Sequence, residues 1–240
     1  MNIALIGYGK MGHAIEQVAT QRGHNIVLRI SSANKDEMTP ENLQKADVAI
    51  EFTNPEAAKD NVLSCLGAGV NTISGSTGWN KYLPDAEQCA KDHDAAFLHA
   101  SNFSVGVNVF FEVNKMLARL MNEYADYDIL IEETHHTKKK DAPSGTAITI
   151  AEQILQHLSA RNRWVLNDTN EPDAIPIMAY RLDEVPGTHK VTYSSPVDSI
   201  SIEHIAHNRN GFALGAVMAA EFVAGRKGIY SMKDVLFPAR

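Results

Sequence analysis

The densest concentration of reactive side chains runs from Glu133 to Thr146, reading Glu-Thr-His-His-Thr-Lys-Lys-Lys-Asp-Ala-Pro-Ser-Gly-Thr. It holds two imidazoles, His135 and His136, and three ammonium groups, Lys138, Lys139 and Lys140. An imidazole exchanges its proton near neutral pH. An ammonium group holds a carboxylate or offsets a negative charge that develops during reaction. A lysine run alone reads as a solvated loop. Here, however, Pro143 and Ser144-Gly145-Thr146 open a helical pattern, and the backbone N–H groups at a helix start cradle an anion. Together these groups suit proton transfer on a small acidic molecule. Adjacent histidines on a strand point to opposite faces. With no cysteine or spaced carboxylate set to complete a zinc site, no metal is expected.

A second cluster, Gly7-Tyr8-Gly9-Lys10-Met11-Gly12, matches G-x-G-x-x-G, follows an N-terminal apolar run and opens a helix. In that context Gly7 allows the tight turn, Gly9 admits a pyrophosphate to the backbone, and Gly12 lets the helix pack on the strand. About 20 residues further on, an acidic residue would hold a ribose hydroxyl. The chain instead has Ser31, within Arg29-Ile30-Ser31-Ser32-Ala33-Asn34-Lys35. A serine does not repel a 2′-phosphate, and Arg29 or Lys35 could pair with one or stand as solvated charges. NADPH is thus expected to be accepted, or preferred. Gly75-Ser76-Thr77-Gly78 and Ala100-Ser101-Asn102-Phe103 each follow a later strand-like run, where open α/β sheets touch their ligands.

The elements that must position these groups alternate in the first half. Strands are expected at 2–6, 26–30, 47–52, 70–74 and 95–99. Helices are expected at 11–21, ending before Gly23, and from Thr53 toward Leu66 with Pro55 in the first turn. Short apolar strands between helices mean a parallel sheet covered on both faces. The pattern changes near Gly106. Phe110, Val113, Leu117, Leu120, Met121 and Tyr124 recur at helical spacing. Tyr127, Ile129 and Ile131 alternate as a strand. Ala147, Ile148, Ala151, Leu155 and Leu158 share a helix face. Strand-like runs follow at 177–182, 188–195 and 199–207, and a small-residue helix at 212–225. The reading is α/β: a Rossmann-type parallel-sheet domain, then an α+β domain with a mixed sheet.

Composition narrows the function classes. The 240 residues carry 22 basic and 29 acidic side chains, a net charge of −7, which disfavours nucleic acid. Cys65 and Cys89 form no framework. No apolar run approaches the roughly 20 residues that span a bilayer, and no charged leader precedes Ile3. A cytoplasmic protein is expected, with no membrane partner.

The stretch His135-His136 through Asp141-Ala142-Pro143-Ser144-Gly145-Thr146 resembles the motif of the 4-hydroxy-tetrahydrodipicolinate (dihydrodipicolinate) reductase family. Three further stretches resemble the same family: Gly75–Gly78, Ala100–Asn108, and Arg209–Leu236. The resemblance implies NADH- or NADPH-dependent reduction of a cyclic dicarboxylate on the diaminopimelate route to lysine. It implies His135 and Lys139 as catalytic, and His136, Ser144, Gly145 and Thr146 as substrate-binding. Cofactor would be held by Gly7, Gly9, Lys10, Met11, Gly12, Ser31, Gly75, Ser76, Thr77, Ala100, Ser101, Asn102 and Phe103. The dinucleotide domain would comprise 1–104 and 210–240, and the substrate and tetramerisation domain 105–209, with a hinge near Ser104 and Arg209. The resemblance also implies a homotetramer. Two rivals stay open at this point. One is another two-domain dehydrogenase, acting on homoserine or meso-diaminopimelate. The other is a non-catalytic dinucleotide sensor, which would need the glycine loop but not His135 and Lys139.

Overall fold

A computed structural model describes residues 1–167, 169, 171–208 and 210–238. The chain forms two compact units, Met1–Val105 with Arg209–Arg240, and Gly106–Asn208. Arg209, expected beside a hinge, lies outside the described residues.

The first unit runs β1 (Asn2–Ile6), α1 (Lys10–Gln21), β2 (Asn25–Ile30), α2 (Pro40–Leu43), β3 (Val48–Glu51), α3 (Pro55–Gly67), β4 (Asn71–Ser74), α4 (Leu83–Asp92) and β5 (Ala96–His99). The helix α5 (Val105–Met121) carries the chain into the second unit, which adds β6 (Asp128–His135), α6 (Gly145–Leu155), β7 (Arg163–Leu166), β8 (Ala174–Arg181), β9 (Gly187–Ser194) and β10 (Ser199–Ala206). The chain then returns to the first unit as α7 (Asn210–Val223), β11 (Gly228–Tyr230) and α8 (Met232–Leu236).

Six strands of the first unit form one parallel sheet in the order β11-β5-β4-β3-β1-β2. Its strands are short apolar runs because both faces are covered. On one face Ile3, Leu5, Val48 and Ile50 join Ile15 and Ala19 of α1 and Val217 and Ala220 of α7. On the other face Ala4, Ile6 and Ala49 pack with Leu28, Leu43 and Cys65. The small residues of α7 have a steric cause: a Cβ on Gly215 would lie 1.7 Å from the carbonyl oxygen of Phe103.

The second unit holds a mixed sheet, β10-β9-β6-β8-β7, in which β6 pairs antiparallel with β9 and parallel with β8. Every second residue of β6 is buried, beginning at Ile129. That face joins Ile175, Ile177, Val191 and Tyr193 under Phe110 and Ala118 of α5 and Ile150 and Ile154 of α6. The fold class expected from the sequence is the one found. The expected elements did not include the helices α2 and α8 or the short strands β7 and β11. Pro176 lies inside β8, where proline is disfavoured; the strand begins at Ala174, before the expected start at Ile177.

Candidate active site

The parallel sheet changes direction beside β1, with β2 on one side and β3 on the other. Open α/β sheets bind ligands at such a switch point, outside the carboxyl ends of the strands. Gly7–Gly12 follows β1, Ser31 follows β2, Gly75–Thr77 follows β4 and Ala100–Phe103 follows β5, so all four segments share this edge. Gly7 has φ +103°, and a Cβ there would lie 2.0 Å from the Phe52 carbonyl oxygen. A Cβ on Gly12 would lie 2.5 Å from the Gly7 oxygen, whereas one on Gly9 would meet nothing within 4 Å. Gly9 caps α1 without a side-chain hydrogen bond, and the first turn carries no acidic residue. This helix start suits a pyrophosphate, whose charge its N–H groups and dipole favour.

The neighbouring loops are braced from below. The buried Ser76 hydroxyl accepts from the Thr53 N–H at 2.8 Å and donates to Glu51 at 2.7 Å. Glu51, fully buried, also accepts from the Ser74 hydroxyl at 2.6 Å. The Trp79 indole donates to the Ser76 carbonyl at 2.8 Å. Thr77 and Ser101 are exposed and Ala100 is half-buried. Phe103 is a core residue whose ring meets Phe52 at 5.5 Å, so its side chain is committed to packing. Asn102 accepts from the Ser104 N–H at 2.8 Å. At Ser31, the backbone N–H and the hydroxyl both donate to Asn34, at 2.9 and 3.0 Å. Arg29 is gripped by Glu16, which also accepts from the Tyr8 hydroxyl, while Lys10 and Lys35 are exposed.

The second cluster is built on β6, where Glu133 and His135 sit two residues apart on the buried face. Nδ1 of His135 lies 2.9 Å from Oε2 of Glu133. Oε1 of the same carboxylate accepts from the Ser144 N–H and from Arg181, each at 3.0 Å. Arg181 also donates to the Asp141 carbonyl at 2.6 Å. Strand register places Arg181 of β8 beside His135, and His189 of β9 beside Glu133. His189 Nε2 lies 3.2 Å from the Ser144 hydroxyl, and its ring meets that of His135 edge-on at 5.1 Å.

Ser144 caps α6 by accepting from the Ala147 N–H at 3.2 Å. Its hydroxyl is therefore turned inward, while Gly145 is exposed and Thr146 half-buried. As at α1, the first turn of α6 has no acidic residue. His136 is half-buried, and Lys139 pairs with Asp141 at 2.9 Å with its side chain 23% exposed. Lys138 and Lys140 are exposed.

Glu133, Arg181 and His189 were not singled out from the sequence. Only Glu133 had a local signal, its two-residue spacing from His135 on one strand. Glu133, His135 and His189 bring one ligand atom each within 4.8 Å of one another, a spacing that could hold a metal ion. Arg181 already supplies that carboxylate with a cation.

Burial pushes the Glu133 carboxyl up, but hydrogen bonds from His135, Ser144 and Arg181 outweigh it and hold the group down at about 2. Burial, reinforced by the charge of His135, pushes His189 down to about 3. Both shifts make the fold acid-labile. His189 has an ordinary value of 6.5, so the unfolded chain takes up its proton first, and stability falls as pH drops from 6.5 toward 3. The stability from Glu133 is full above its ordinary value of 4.5 and is lost as pH falls toward 2. Between pH 6.5 and 4.5 the histidine acts without the carboxylate. His189→Gln is therefore expected to flatten the melting temperature against pH in that window, as read by calorimetry. An unchanged slope would mean that His189 takes up its proton as readily in the folded protein as in the unfolded chain.

Two family models divide the chain. The N-terminal model of dihydrodipicolinate reductase matches residues 1–103, and the C-terminal model matches residues 106–236. A 4-hydroxy-tetrahydrodipicolinate reductase of Christiangramia forsetii is 49% identical over 238 residues, 98% of either chain. One from Methanoculleus marisnigri is 39% identical over 198 residues, covering 81% of this chain and 77% of its own. Among solved structures, a dipicolinate-bound dihydrodipicolinate reductase from Paenisporosarcina sp. TG-14 superposes with a TM-score of 0.78. That match covers 96% of this chain and 97% of the other at 22% identity, a likeness of fold.

Proposed function

The chain belongs to the dihydrodipicolinate reductase family, and from that premise we propose that it reduces 4-hydroxy-tetrahydrodipicolinate, or the dihydrodipicolinate derived from it, to tetrahydrodipicolinate with NADH or NADPH, on the diaminopimelate route to lysine. The observation that carries the reading is the pairing of His135 with a buried carboxylate, next to the start of α6. A proton source thus stands beside an anion cradle.

A bound reduced nicotinamide supplies the hydride. The first unit holds the dinucleotide through Gly7, Gly9, Lys10, Met11 and Gly12, with Ser31, Gly75, Ser76, Thr77, Ala100, Ser101, Asn102 and Phe103 around it. Ser76 and Phe103 contribute through backbone, because their side chains are buried. In the second unit, Gly145 and Thr146 grip one substrate carboxylate at the start of α6, and Ser144 serves that grip as the cap. His136 contacts substrate. Lys139 leaves Asp141 for a substrate carboxylate and offsets the electron density that the hydride pushes onto the ring. His135 delivers the proton, a contribution of about 10²- to 10⁴-fold.

The test is a coupled assay followed by nicotinamide absorbance. Pyruvate and aspartate semialdehyde feed the preceding synthase, and this protein is added with NADH or NADPH in turn. Oxidation that needs both proteins is the expected result. None with either cofactor, from folded protein that binds dinucleotide, overturns the reading.

We also propose a homotetramer joined through the mixed sheets. Leu130, Met178, Tyr180 and Ile205 lie on the sheet face opposite the helices and are partly exposed, Tyr180 at 43% and Ile205 at 51%. Light scattering of the eluting protein would show four copies, and a monomer would overturn this.

A further inference from the structure

We propose that Glu133 is a positioning residue that fixes His135 in one tautomer, with its proton on Nδ1; this rests on the reading of His135 as the acid. The argument begins with the two oxygens of one carboxylate. Oε1 is occupied by two donors, the Ser144 N–H and Arg181, and both come from elsewhere in the fold. The orientation of the carboxylate is thereby set. Oε2 is buried and, His135 apart, has no hydrogen-bond partner among the described residues, and Nδ1 of His135 has none apart from Glu133. These two atoms lie 2.9 Å from each other. A buried polar atom left alone is costly, so each is the other's partner, with Nδ1–H facing the carboxylate. The neutral imidazole then has its lone pair on Nε2, and the cationic form carries its transferable proton there. Beside Nε2 the chain has Gly187, where a Cβ would come within 3.1 Å, and the glycine keeps that side clear.

The other charged groups around this pair do not replace Glu133. Arg181 of β8 binds Oε1 and leaves Oε2 to the imidazole. Lys139 and Asp141 in the loop pair with each other. His189 of β9 is kept neutral by burial, and His204 of β10 is also depressed by burial. Glu133 is therefore the anion in contact with the imidazole.

Glu133→Gln turns this into a sharp test. The amide has one acceptor and one donor end. Ser144 N–H and Arg181 both demand the acceptor, so the amide oxygen turns toward them and the NH₂ faces Nδ1. Nδ1 must then accept, and the proton moves to Nε2. The expected result is a loss of about a hundredfold or more in kcat, within the range of a lost proton transfer, with substrate KM within about threefold. Long-range ¹H–¹⁵N spectra of the substrate-free protein should place the neutral His135 proton on Nδ1 in the wild type and on Nε2 in the variant. A wild-type proton on Nε2 overturns the proposal even if the variant fails to fold. So does a variant that loses activity with the tautomer unchanged, since that is a structural role. The spectra need no turnover, so they decide this point independently of the coupled assay.

Discussion

Replacing His135 with alanine is expected to lower kcat by about 10²- to 10⁴-fold, the span of a lost general acid. Lys139→Ala is expected to lower turnover more than tenfold and to raise substrate KM. Truncating one partner of a desolvated charge pair costs about 2–5 kcal/mol, and Lys139 would hold a carboxylate. The two variants should differ in stability. The His135 side chain is nearly enclosed and is the partner of Oε2 on a buried carboxylate, so its loss leaves that oxygen unsatisfied at a cost of about 1–3 kcal/mol. Lys139 pairs with the largely exposed Asp141, and an ion pair of that kind contributes about 0–1 kcal/mol. Steady-state kinetics in the coupled assay and thermal unfolding together read these quantities. Wild-type turnover in either folded variant would remove that residue from the catalytic pair.

The segments that carry that proposed pair and the glycine loop stand out in the sequence because their information is local. Gly7 to Gly12 is a continuous motif between an apolar run and a helix, and His135 to Thr146 is a continuous run between a strand and a helix. The alternation of β6 was equally plain, since burial with period two is written directly in Ile129, Ile131 and their polar neighbours. Arg181 and His189 could not be found this way. They reach Glu133 through the register of β8 and β9 beside β6, and register between distant strands has no signal within one strand. The grip of Glu16 on Arg29 is of the same kind, joining α1 to β2. Ser144 shows the converse. A serine opening a helix is an ordinary N-cap, and its hydroxyl does that work here, while the chemistry expected of the motif passes to the helix start it shapes. The strands β7 and β11 were missed because four half-exposed residues and three beginning at Gly228 are too short to show a period.

Gly7→Ala and Gly9→Ala, two positions apart in one motif, are expected to fail in different ways. At Gly7 the backbone has φ +103°, and the added carbon would lie 2.0 Å from the Phe52 carbonyl oxygen. Phe52 cannot retreat freely, because its N–H donates to the Ile6 carbonyl at 2.8 Å in the β1–β3 ladder. Strained backbone of this kind costs about 1–3 kcal/mol before the clash is counted, so this variant should melt well below the wild type or fail to accumulate. At Gly9 the backbone is extended, φ −99° and ψ −154°, and the added carbon meets nothing within 4 Å. The protein itself gives no reason for a glycine there. The reason lies in what must approach: a pyrophosphate lying against the backbone at the start of α1 has no room for a methyl group. Gly9→Ala should therefore melt within a degree or two of the wild type, since a ΔΔG near zero moves the melting temperature little. Its affinity for both NADH and NADPH should fall about tenfold to a hundredfold, the equivalent of 1–3 kcal/mol of overpacking. Calorimetric titration of each cofactor beside a melting curve reads both. Unchanged affinity in Gly9→Ala would place the dinucleotide away from the glycine loop, and with it the whole first-unit assignment would have to move.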